Sequence, residues 1–273
     1  MEVRITETTE QTREHGGGPR RWALLAVACT LLAVALWLCG VHAAVRAFDG
    51  ANAAAYSCWN HVASELGFPF ASPRTWAFNG AVAAVAVLAM PTLFALAAAL
   101  RTRLAGAAAW VGAAGCVSLA TMGMFGLRQD AEGTPYVFLK FFAVHATLTA
   151  VFAALWGVAI TLFEVDFLRR WRDPAARWMA CGGAFCWMIY PVFLVSVVRS
   201  NPTERALLRD LRDPAFRAAM SAASSVPLLS PWLDSHRPEI WGQAAMEWVW
   251  TYSVMAWLGM AVVFLWTEAR RRE

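Results

Sequence analysis

His145 and Glu247 each interrupt a long apolar run of the chain. Ionisable side chains in such places are costly and usually face a bundle interior or a water-filled cavity. Counting about 1.5 Å of rise per helical residue, His145 lies roughly 10 Å and Glu247 roughly 9 Å from the same predicted end of their helices. Asn79 stands one turn into another run from that end, and His42 closes a further one. Arg128 and Asp130 follow the end of a third run, and a loop adds Asn60, His61, Ser64 and Glu65 on the same side. The residues able to do chemistry therefore gather at one end of the predicted bundle, and the other half offers arginine clusters and isolated threonines.

Two kinds of chemistry suit such a set. A polar pocket built from His61, Ser64, Glu65, Asn79, Arg128, Asp130, His145 and Glu247 would recognise the headgroup of a lipid or other small amphiphile. Metal-assisted hydrolysis instead needs about three ligands and an open position for water. His61, Asp130, His145 and Glu247 could offer those to zinc, for hydrolysis of a lipid amide or ester. No HExxH-like spacing supports zinc locally, so its ligands would have to meet through the tertiary fold. Haem or copper between His42 and His145 requires matching depths, which these two do not have. Ser64 has His61 three residues before it but no GxSxG elbow around it. No cofactor is expected for the binding reading. Each residue also has a plainer use: His145 as an interhelical hydrogen-bond partner, Glu247 as half of a tight pair, Arg128 with Asp130 as an exposed ion pair, and Ser64 with Glu65 as a loop cap.

The elements that must position these residues are membrane helices. The chain has 273 residues, 59% hydrophobic and 15% charged, and a mean hydropathy of +0.47, whereas soluble chains carry roughly a quarter charged residues. Crossing the hydrocarbon takes about 20 mostly apolar residues, in a helix that satisfies its own backbone. Six stretches qualify, near 22–45, 76–100, 104–126, 138–163, 177–198 and 241–266. The expectation is an all-α polytopic transmembrane bundle of about six helices over 21–268, with loops near 46–75, 127–137 and 199–240. The first apolar run is longer than a signal-peptide core and has no small-residue cleavage site after it, so it reads as a retained helix.

Arginines set the orientation. Arg20 and Arg21, Arg101 and Arg103, Arg169 to Arg177, and Arg270 to Arg272 all fall on one side. Both termini are therefore expected in the cytoplasm, with the polar loop outside, in a multi-pass protein of the bacterial inner membrane. The net charge of +4 is then a topology signal, and no basic stripe with interleaved aromatics points to nucleic acid. Five of the six cysteines fall within predicted helices and only Cys58 in an outer loop, so a disulfide framework is not expected.

Residues 1–20 read as a disordered tail and 269–273 as a basic one. Pro91 and Pro191 sit inside helices two and five as ordinary kinks. Gly106, Gly112, Gly115, Gly123 and Gly126 among many alanines make helix three a central, closely approached helix. In the long loop, Asn201, Pro202 and Glu204 have the order of a helix start, and Asp213 with Pro214 suggests a second short helix through Phe216 and Met220.

Taken in order, the loop Asn60-His61-Val62-Ala63-Ser64-Glu65-Leu66-Gly67, then Pro73 and Phe78-Asn79-Gly80, form a pattern. Met122-Gly123-Met124-Phe125-Gly126 then ends helix three, Asp130 follows, and His145 comes early in helix four. This resembles an uncharacterised bacterial membrane family, number nine-nine-eight among the domains of unknown function. Its members carry an Ile-Ser-x-Leu-Gly-like loop, a Phe-Asn-x-Gly helix start, a Gly-x-Phe-Pro-like end to helix three and a following His. The chain is similar, more distantly, to the DRAM and Sfk-type membrane proteins of eukaryotes, linked to autophagy and to lipid or GPI-anchor handling. The likeness covers roughly 56–163. It departs where Gly126 stands in place of a proline, and it has no counterpart to the loop 199–240. It implies a six-helix fold with an outward polar loop and carries no settled activity.

Overall fold

The computed structural model of the chain describes residues 18–48, 56–67, 74–132, 138–199, 206, 209–221, 239–240 and 242–271. Among these there are no strands. The α-helices are α1 (Gly18–Arg46), α2 (Thr75–Leu100), α3 (Arg103–Glu132), α4 (Phe138–Arg169), α5 (Pro174–Arg199), α6 (Pro214–Ser221) and α7 (Gly242–Arg270), with a 3-10 turn at Ala63–Gly67. Stretches of α1, α2, α3, α4 and α7 are long and apolar enough to cross a membrane. α5 has 26 residues and no charged side chain over 178–195. The chain is an all-α polytopic bundle.

Neighbouring helices pack in chain order from α1 to α5; α5 then packs on α7, and α7 returns to α1 and α2, closing the ring. Small residues let the backbones meet. A Cβ on Gly40 of α1 would stand 2.6 Å from the Ala77 carbonyl oxygen of α2, and one on Gly123 of α3 would stand 2.6 Å from that of Asn79. Where α1 crosses α2, the buried hydroxyls of Thr30 and Thr92 bond at 2.8 Å, one residue past Pro91. Large apolar side chains turned outward, such as Leu31, Leu38, Trp110 and Trp178, suit a surface facing lipid.

At the end of the bundle away from the 3-10 turn, Arg101 closes α2 in the left-handed conformation (φ 59°) and donates its N–H to the Ala97 carbonyl. The Thr102 hydroxyl caps α3 by accepting from Ala105 N at 2.9 Å and itself donates to Asp166. Arg170 donates to the Leu100 carbonyl at 2.7 Å, fixing α4 to the same turn. Asp173 caps α5 through Ala175 N at 3.0 Å and takes both Arg271 nitrogens, at 2.5 and 2.9 Å, tying the start of α5 to the end of α7. The aromatic seam between α4 and α7, Trp257 against Trp156 and Phe163 with centroids 6.0 Å apart, fills the core above it.

Two expected boundaries are corrected. α3 runs to Glu132, so Arg128 and Asp130 belong to its last turns and not to a loop beginning at 127. α4 runs to Arg169, six residues past 163, and carries Glu164 and Asp166 with it. An apolar run marks where a helix crosses the hydrocarbon; its backbone ladder continues until a cap or breaker stops it. The expected short helix after Asp213 is α6, with Asp213 accepting from Ala215 N at 2.9 Å. The expected helix start at Asn201, Pro202 and Glu204 lies outside the described residues, as does the tail over 1–17, while Gly18 to Arg20 form the first turn of α1.

Candidate functional site

Residues 56–67 pack against the end of the bundle and finish in the 3-10 turn Ala63–Gly67. The turn caps itself reciprocally: Val62 N donates to the Glu65 carboxylate at 3.3 Å, and Glu65 N donates to the Val62 carbonyl at 3.1 Å. Leu66 is fully buried beneath it. Non-helical backbone at such a place needs partners from the surrounding protein. From α7, Trp248 Nε1 donates to the Tyr56 hydroxyl at 3.1 Å and to the His61 carbonyl at 3.3 Å. From α2, Asn79 Nδ2 donates to the Gly67 carbonyl at 3.1 Å. From within the turn, Ser64 N donates to Glu247 Oε1 at 3.1 Å. The Tyr56 hydroxyl in turn reaches the carbonyls of His61 and Val62, at 3.2 and 3.1 Å. Burial, reinforced by the carboxylates of Glu65 and Glu247, pushes the Tyr56 phenol above its ordinary range, which keeps it a neutral donor.

Beneath this plug lies a cavity of about 110 Å³ into which Ser64, His145 of α4 and Glu247 of α7 all converge, joined by Thr149 and Thr251. Its walls include Trp37, Phe78, Phe152 and Trp250. At roughly 30 Å³ of liquid per water, it has room for a few waters or one compact polar group. On the other side of α7 runs an open groove of about 710 Å³ between α1 and α5, lined by Val41, Val45, Cys58, Trp59, Phe185 and Tyr252 among others. That volume is typical of small-molecule sites. Trp248 and Tyr56 line the groove, and Glu247 lines the cavity, so α7 separates the two.

The remaining sequence candidates fall elsewhere. His61 is buried, with Nδ1 3.2 Å from both the amide and the carbonyl of Ser57 and its ring edge-on to Phe48, and it does not line the cavity. Glu65 is occupied in the cap. Asn79 is wedged between the turn and α3: a side chain on Gly126 would overlap its amide, and one on Gly67 would stand 2.6 Å from Oδ1. Glycine at 126 is thus what this asparagine requires. His42 is exposed. The side chains of Arg128 and Asp130 lie outside the described residues. Among the described residues no group of three or more His, Cys, Asp or Glu could hold a metal ion; Asp130, the fourth ligand considered for zinc with His61, His145 and Glu247, has its side chain outside them.

The sequence reading missed two acidic residues in the other half. Asp166 is buried and bonded to Thr102 and Arg169. Glu164 lies against α5 where Gly183 leaves it room, with Oε1 buried and without a hydrogen-bond partner among the described residues. Extending helix four to its basic end, Arg169, would have found both. The cavity's aromatic walls also went unread, because tryptophans in a membrane chain are expected at its interfaces.

Set against protein-family models, curated proteins and solved structures, the chain matches none.

Proposed function

We propose that this multi-pass membrane protein binds a lipid or other amphiphile at the plugged end of its bundle, facing the outer leaflet of a bacterial inner membrane. One observation carries the reading: Ser64, His145 and Glu247, from three separate elements, line one cavity that is otherwise walled by aromatic and aliphatic side chains. A few convergent polar groups in an apolar pocket suit recognition of a small headgroup. The open groove across α7 supplies apolar surface at the same level of the bundle. The hydrolase reading is the weaker one, because His61, one of its candidate ligands, does not line the cavity that His145 and Glu247 share. The motif likeness to family nine-nine-eight agrees with an outward polar loop.

The test is mass spectrometry of lipids retained by protein purified in mild detergent, for wild type and Glu247→Gln. An amphiphile held near stoichiometry by wild type and lost from the folded variant is the expected result. Retained lipid that mirrors the bulk membrane in both proteins would overturn the reading.

A further inference from the structure

The charge and the walls of the cavity together restrict what it holds. Glu247 is the one acidic residue lining it, and no lysine or arginine lines it among the described residues. Among the described residues Glu247 takes hydrogen bonds from the Ser64 amide and hydroxyl, has Glu65 as an acidic neighbour, shares the cavity with His145, and has no lysine or arginine paired with it. The same cavity is lined by two tilted aromatic pairs, Trp37 with Phe78 (centroids 5.5 Å, 55°) and Phe152 with Trp250 (5.8 Å, 58°). Ring faces carry negative potential and hold organic cations, tryptophan most strongly, and aromatic cages are the recurring device for quaternary ammonium groups. A carboxyl in an apolar site is best satisfied by a cation brought to it. A second, independent feature is Trp37: it is 6% exposed, lines the cavity, and its indole N–H has no hydrogen-bond acceptor among the described residues. A ligand carrying an oxygen close to its cationic nitrogen would supply that acceptor.

We propose that the cavity binds an organic ammonium group bearing a nearby oxygen, the chemistry of an amino-alcohol headgroup, with Glu247 as counter-ion and Trp37, Phe78, Phe152 and Trp250 as the cage. This rests on the amphiphile-binding reading and names its headgroup. The same chemistry reaches the protein either as a free amino alcohol or as part of a phospholipid.

The experiment is calorimetric titration of full-length protein in a neutral maltoside detergent. Its probes are choline, the isosteric but uncharged 3,3-dimethylbutanol, dihexanoylphosphatidylcholine below its micelle concentration, and hexyl sulfate. Choline or the phosphatidylcholine should bind wild type at least about tenfold more tightly than 3,3-dimethylbutanol, equivalent to about 1.4 kcal/mol. Glu247→Gln and Trp250→Leu should each lose that preference. Binding of choline itself points to a free amine, and binding of only the phosphatidylcholine points to a lipid headgroup. Equal binding of the uncharged isostere, or Glu247-dependent binding of hexyl sulfate, would overturn the ammonium assignment while leaving amphiphile binding intact. No binding of any probe to folded wild type would also overturn it, and the retained-lipid measurement would then judge the wider reading separately. The comparison of choline with its isostere uses wild type alone, so it stands even if a variant fails to fold.

Discussion

The backbone amide of Ser64 donates a hydrogen bond to Glu247 Oε1 at 3.1 Å across 183 residues of sequence. This bond fixes the 3-10 turn to α7 and holds the carboxyl at the cavity wall. Glu247→Ala leaves a half-buried amide without its acceptor, a loss of up to about 1–3 kcal/mol. Glu247→Gln keeps an acceptor oxygen and should lose less than half as much. Unfolding of the purified variants in detergent checks the order; equal losses would mean that the bond does not hold the turn.

Thr30 and Thr92 form a second test, because their bond is buried between α1 and α2. Single valine substitutions should each destabilise the fold. The double variant should fall short of their sum by a coupling of about 0.6 kcal/mol, the usual size for such bonds between membrane helices. Strict additivity would show that the hydroxyls satisfy themselves within their own helices.

Gly123→Ala places a methyl group 2.6 Å from the Asn79 carbonyl oxygen. It should cost about 1–3 kcal/mol by forcing α3 off α2. Gly106→Ala on the same helix meets nothing within 4 Å, and should be neutral or stabilising by up to about 1 kcal/mol through helix propensity. A reversed ranking in thermal unfolding would contradict the close approach.

Asp173 is held below the usual carboxylate range, first by its hydrogen bonds from Arg271 and further by the Ala175 amide and the Arg271 charge. A carboxyl depressed in the folded state contributes stability above its unfolded value near pH 3.8, and loses it as pH falls through the lower folded value. The melting temperature of wild type should therefore exceed that of Arg271→Ala at neutral pH by no more than about 2 °C, given how little exposed pairs contribute. The gap should begin to narrow below about pH 4 and close once the pH passes the lower folded value. A gap that persists in acid would locate the effect in packing of the arginine stem.

Cys58 is exposed beside the turn. With the other cysteines replaced by alanine or serine, a membrane-impermeant maleimide should label it in intact cells. Labelling that appears only after permeabilisation would invert the orientation expected from the arginine clusters and place the cavity on the cytoplasmic side.

Much of the architecture is legible in the sequence because lipid imposes one simple demand, and the apolar stretches near 22–45, 76–100 and 241–266 answer it within a few residues of the observed helix ends. Depth counting along α4 and α7 also brings His145 and Glu247 to one level, where they share a cavity. Helix ends outside the hydrocarbon are less legible: hydropathy falls at 127 and 164, but the backbone ladders of α3 and α4 do not stop there. Side-chain direction is the other gap. Asn79 and His61 have the residue types of a binding pocket, yet each faces a backbone group, the Gly67 carbonyl and the Ser57 peptide, and position along the chain carries no sign of which way they turn.

The plug also has a consequence for how the protein is made. Its turn emerges from the ribosome long before Glu247 and Trp248, the α7 residues that hold it. Through the insertion of α2 to α5 the turn has Asn79 to anchor it, and Ser64 and the His61 carbonyl must wait. Closure of the cavity therefore waits for α7, and a chain halted before that helix would leave this end of the bundle open to water.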